Sequence, residues 1–217
     1  MFFIPAGVYS DGSPAAHRTA LTRKDIMAET LMNRIPRAQL PSELAPAWDA
    51  LNRLTGEPTF VEVFAQNPAM LGFVMSDFYA KVFFGGKVDN RYKQLARLRL
   101  SMAHGCRTCN KQNVPGALEA GITAGQIAAI GDYENGPFSE AEKAVLAYAD
   151  QVALTNMQGE LSPDLYRRLR ASFSDADLCE LGVVMAVISG MAKLSFVLGL
   201  VEREPYCPFG SGATPTH

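Results

Sequence analysis

The chain has 217 residues, 48% of them hydrophobic and 19% charged, and a formal net charge of −2. That is enough apolar material for one sizeable core, and neither nucleic acid nor an anionic membrane is expected as a partner, because no general electrostatic attraction to them exists. Charge below the usual quarter also suggests that part of the surface is covered by another subunit.

Residues 1–20 are rich in Pro, Gly, Ser and Ala and read as an irregular arm. Met1-Phe2-Phe3-Ile4 is apolar, but no cation precedes it and Pro5 and Gly7 interrupt it, so no secretory signal is expected. Four cysteines are too sparse for a secreted disulfide scaffold, and a cytoplasmic compartment follows as the expectation. Asn67-Pro68 offers a cap and a first-turn proline before Leu71, Met75, Phe78 and Val82, a four-residue spacing ended by Gly85-Gly86. Asp89 starts a helix with Leu95, Leu98 and Met102 on one face, closed by Gly105. Thr123 with Gln126, Ser139 with Glu142, and Ser162-Pro163 mark further helix starts. Arg167, Arg168 and Arg170 read as a solvated helix face.

Ser174 and Asp177 introduce the most apolar stretch, Leu181 to Leu200, which is long enough to cross a bilayer and holds one charge, Lys193. A lysine so deep in a span costs roughly 2.5–3.5 kcal/mol, and a buried helix is the better reading. Its Gly182, Ala186 and Gly190 form a stripe of small residues where another helix can approach. Cys179, just before this run, reads as ordinary core. The organisation expected is an arm with leading helices over 1–60, a helical domain over 61–200 and an irregular tail over 201–217. The fold class is all-α, about six to eight helices and no sheet.

The chemistry is concentrated in His104-Gly105-Cys106-Arg107-Thr108-Cys109. Cysteines at i and i+3 of a helix stand roughly 60° apart on one face, close enough for a disulfide. Because Gly105 ends one helix, Cys106 is expected in the first turn of the next, where free N–H groups and the dipole favour a thiolate. Arg107 and Lys111 add positive charge. A CxxC pair is also half a zinc site, and all four cysteines could assemble one; a buried, inert pair is a further reading.

The segment resembles the alkylhydroperoxidase D-like branch of the carboxymuconolactone decarboxylase superfamily. That branch carries a Glu, eleven residues, CxxC, three residues and a His. Here Gln94-Leu95-Ala96-Arg97-Leu98 leads to Cys106 and Cys109, and Glu119-Ala120-Gly121-Ile122-Thr123 follows. Ser139 to Ala149 is similar to the peroxidase-related members, and the resemblance covers about residues 60–200. It implies a helical homo-oligomer in which Cys109 is peroxidatic and Cys106 resolving, whereas the dipole argument favours Cys106 as the more acidic thiol. The family glutamate falls on Gln94, its histidine on Asn113, and a position that is sometimes histidine on Thr108. None of these side chains carries a proton near neutral pH. His104 is the candidate substitute base. Pro115 breaks into the region after Asn113, so a new helix capped by Asn113, or a kink, is expected there.

The expected function is a thiol-dependent peroxidase or thiol–disulfide oxidoreductase with Cys106 and Cys109 as the redox pair, acting on a peroxide or disulfide and restored by an external thiol. No organic cofactor or metal is implied, since no glycine-rich phosphate loop follows a strand. A redox sensor on the same scaffold, or a decarboxylase-type enzyme, remains the alternative. Self-association is expected from the low charge, the small-residue stripe and the run Phe78, Val82, Phe83, Phe84.

Overall fold

Capping residues decide where most helices begin. In the computed structural model, which describes residues 30–209, Asn67, Asp89, Thr123, Ser139, Ser162 and Ser174 each accept a backbone N–H from the turn that follows. The Thr123, Ser139 and Ser174 pairs close into capping boxes. Each cap satisfies donors that a helix end leaves orphaned and contributes about 1 kcal/mol.

The helices are α1 (Ala45–Thr55), α2 (Thr59–Phe64), α3 (Pro68–Gly72), α4 (Asn90–Ala103), α5 (Arg107–Glu119), α6 (Ala124–Ala129), α7 (Glu140–Val152), α8 (Pro163–Arg170) and α9 (Asp175–Val197). The described residues thus hold nine α-helices and no strand. The count exceeds the sequence expectation because α2, α3 and α6 have six residues or fewer, too few to display a periodic face. The arm expected over 1–20 lies outside the described residues.

Helix α4 is the axis of the fold. One side packs Ala96 and Leu100 against Ala144, Val145 and Ala149 of α7, Leu169 of α8 and Leu181 and Met185 of α9. Its other side packs Leu95 and Leu98 against Ala117 of α5, Ile122, Ile130 and Leu146. Even Lys93 is fully buried on α4, paired with Glu180 at 2.6 Å and donating to the Val82 carbonyl. Helix α9 is the one described helix long and apolar enough to cross a membrane; it contributes Leu181 and Met185 to this core and packs Val184 against Phe78 and Phe83.

Several local expectations are corrected. Leu71 to Val82 is not a regular α-helix: α3 runs on into a π-helix, Phe73–Phe84, whose wider turn buries Phe78 and Phe83 and leaves Phe84 exposed. The small-residue stripe on α9 is divided. Gly182 faces inward, where a Cβ would stand 2.7 Å from the Tyr148 hydroxyl, whereas Ala186 and Gly190 are exposed. Cys179 lies on the exposed side of α9 and is not core. Helix α5 continues through Pro115, so Asn113 caps nothing. Proline within a helix costs about 3 kcal/mol, and burial of the next turn through Ala117, packed on α4, offsets it.

Candidate active site

Gly105 has φ 63°, a left-handed conformation that turns the chain sharply out of α4. The turn sets Cys106 as the N-cap of α5, in extended conformation, one position before the first turn predicted for it. Cys109 is therefore the third helical residue, and its N–H donates to the Cys106 sulfur at 3.2 Å. The two cysteines are joined in a disulfide with their Cα atoms 5.2 Å apart.

The tail beyond α9 straps this loop in place. Arg203 forms an antiparallel bridge with Cys106, the Arg107 N–H donates to the Glu202 carbonyl, and the Glu204 N–H donates to the Gly105 carbonyl. The Glu202 N–H donates to the Thr108 hydroxyl at 2.8 Å. Cys207 seats against Gly105 so closely that a Cβ there would lie 2.5 Å from the Cys207 Cα. Arg107 and Lys111 face Glu202 at 3.7 and 3.6 Å, so the positive charge expected from them near the cysteines is largely offset.

The two sulfurs meet different surroundings. Cys106 is 0% exposed, in an apolar cluster with Phe196, Val201 and Cys207. Burial also pushes the Cys207 thiol above its usual range. Cys109 is partly exposed and lines a cavity of about 430 Å³, a size suited to a small organic molecule. The π-helix supplies one wall through Val74, Met75, Phe78, Tyr79 and Phe84. Leu51 and Phe60 enter from α1 and α2, and Ile188, Met191 and Ala192 from α9. Thr108, Gln112 and Asn113 line it from α5, and Arg97, Ser101 and His104 from α4 and its end.

The predicted site residues divide accordingly. Cys109, Thr108, Asn113 and His104 share the cavity; Cys106 and Gln94 do not line it. Gln94 is fully buried beneath α5, with neither amide atom hydrogen-bonded among the described residues. Thr108 is occupied in holding the strap. His104 is fully buried and held neutral, its pKa lowered to about 4 by desolvation. Its Nε2 accepts the Leu154 N–H at 3.1 Å, so the ring proton sits on Nδ1. As placed, the ring has no open proton acceptor, and the geometry does not favour it as the substitute base.

Arg97 went unrecognised in the sequence. Gln94, Arg97, Ser101 and His104 recur at three- and four-residue steps along α4, a polar stripe inside a buried helix. That pattern was the available signal.

Fold and site together define an all-α protein with a CxxC disulfide beside an apolar cavity. Residues 71–151 match the carboxymuconolactone decarboxylase family, and the fold is like that of alkylhydroperoxidase D-like structures. No curated protein sequence matches it significantly. An Agrobacterium tumefaciens protein of unknown function, assigned to antioxidant defence as AhpD, is similar at TM-score 0.56 and 22% identity, covering 62% of this chain and 91% of its own. The debrominase Bmp8, solved as a cysteine-to-alanine variant with 2,3,4-tribromopyrrole, gives 0.65 at 16% identity over 84% and 95%. An alkylhydroperoxidase AhpD core protein from Ralstonia eutropha JMP134, uncharacterized and peroxidase-related, gives 0.63 at 14% identity over 83% and 97%. At these identities the likeness is one of fold.

Proposed function

We propose that the protein is a thiol-dependent peroxidase that attacks with Cys109 and resolves with Cys106. The observation that carries this reading is the asymmetry of the disulfide: the Cys109 side opens on the cavity, and the Cys106 sulfur caps a helix away from it. In the dithiol state the Cys109 thiolate attacks the terminal oxygen of a hydroperoxide. The S–O bond forms, the O–O bond breaks, and the alkoxide takes a proton from water and leaves as an alcohol. Asn113, which lines the cavity and whose side chain makes no hydrogen bond among the described residues, supplies a hydrogen bond to that leaving oxygen in this reading. The Cys106 thiol then attacks the Cys109 sulfenic acid, forming the disulfide and releasing water.

An external thiol restores the pair by attacking the Cys109 sulfur. Cys106 departs as a thiolate, which the N–H groups and dipole at the start of α5 stabilise. The dipole argument and the family resemblance thereby agree: the helix start favours Cys106 as leaving group while Cys109 is the sulfur that is reached. A second thiol releases the mixed disulfide and leaves Cys109 reduced.

The test is peroxide consumption with dithiothreitol as donor, using cumene hydroperoxide. Cys106→Ser and Cys109→Ser should each abolish turnover; activity surviving in both overturns the reading. A pair that is reducible in defined redox buffers yet inert to peroxide would favour a redox sensor instead.

Self-association is proposed alongside. On α9, Cys179, Val183, Ala186, Gly190, Leu194 and Val197 are all exposed, at the four- and three-residue steps of a helix-packing seam. Sedimentation should show an oligomer that Val183→Glu weakens; a wild-type monomer at micromolar concentration would contradict it.

A further inference from the structure

Resting on the peroxidase reading above, the geometry points to the class of molecule the cavity takes: we infer an apolar compound bearing one anionic group, which pairs with Arg97. Arg97 is 9% exposed and lines the cavity. Its side chain makes no hydrogen bond or ion pair with any described residue. Its guanidinium stands over the Tyr79 and Phe83 rings, at 5.2 and 5.4 Å from their centroids. Those rings contribute a modest attraction and fix the group's plane, but they leave its N–H donors unused.

The other arginines near α4 are occupied. Arg91 is paired with Glu142 and Arg99 with Asp150, each at 2.6 Å. A desolvated guanidinium with donors unused by any described residue, facing a mainly apolar cavity with Phe60, Val74, Phe78 and Met191 in its walls, is complementary to a carboxylate or similar oxyanion on an apolar body. Among the described residues, Arg97 is the one arginine or lysine in the lining. Glu57, the one acid there, accepts from Thr59 and forms no ion pair with Arg97. His104 is neutral. For the reaction proposed, the class becomes hydroperoxides of apolar carboxylic acids, with the acid on Arg97 and the peroxide toward Cys109.

Binding to the oxidised protein tests this without any chemistry, because the intact disulfide cannot attack peroxide. Calorimetry with decanoate against 1-decanol, and 2-naphthoate against 2-naphthalenemethanol, should favour each acid by about tenfold or more in the wild type. Arg97→Met should collapse that gap, and Arg97→Lys should keep part of it, since lysine retains the charge without the fork. Equal affinity for acid and alcohol in the wild type overturns the inference, and that comparison needs no variant to fold. A preference unchanged in Arg97→Met overturns it as well. The two readings fail separately: acid-selective binding without peroxide turnover refutes the redox assignment alone, and peroxide turnover without acid preference refutes only the role of Arg97.

Discussion

The two sides of the CxxC loop are built on opposite principles. Toward the tail, the backbone is pinned: strap residues 202–207 donate to or accept from Gly105, Arg107 and Thr108, and Cys106 is sealed among Phe196, Val201 and Cys207. Toward the π-helix, the loop faces a mainly apolar space that Cys109 lines, and the side chains of Asn113 and Arg97 there make no hydrogen bond with any described residue. The difference teaches that one half of the disulfide is fixed by the strap while the other is open to the cavity. Fixing Cys106 also holds Cys109, because one helix carries both.

The contrast can be broken or sharpened experimentally. The largest effect is expected from Cys106→Ser, which removes the buried sulfur and leaves the one proposed to react. Turnover should vanish while one equivalent of peroxide is still consumed per subunit, read by stoichiometric titration. Gly105→Ala attacks the strapped side through the backbone. A side chain at φ 63°, driven against Cys207, should cost about 2–4 kcal/mol in urea unfolding and, in the reduced protein, expose the Cys106 thiol to alkylating reagents.

Acidification acts on the same turn through His104. The folded value is about 4 against 6.5 for the free ring, so the unfolded chain binds the proton first as pH falls. The stability contributed by the neutral buried ring is fully present above 6.5 and is lost progressively down to about 4, on the order of 3 kcal/mol. Melts across that range should show the slope in the wild type and a shallower one in His104→Gln. The smallest effect belongs to Thr108→Val, which leaves the Glu202 N–H without its acceptor and should cost about 1 kcal/mol with turnover reduced only slightly.

Much of the scaffold was legible in the sequence because its signals are local. Asp89, Thr123, Ser139 and Ser174 act on N–H groups within three residues, so reading the residues amounts to reading the contacts. The cysteine pair was legible for the same reason. What escaped depends on distant parts of the chain. Glu202 and Cys207 touch the site from about a hundred positions away, and nothing in a proline-rich tail announces that it will pin a loop. The π-helical register of Phe73–Phe84 shares its apolar composition with an α-helix, and periodicity alone did not separate them. Cys179 reads as core because its neighbours are apolar, whereas its own position on α9 faces outward.

The central claim is that the sulfur facing the cavity is the one that reacts. It is tested most directly by reducing the wild-type protein, adding one equivalent of cumene hydroperoxide in the presence of dimedone, and locating the sulfenic acid adduct by peptide mass spectrometry. The adduct should lie on Cys109, and it should accumulate in Cys106→Ser and be absent in Cys109→Ser. An adduct on Cys106, or peroxide turnover undiminished in Cys109→Ser, would contradict the account.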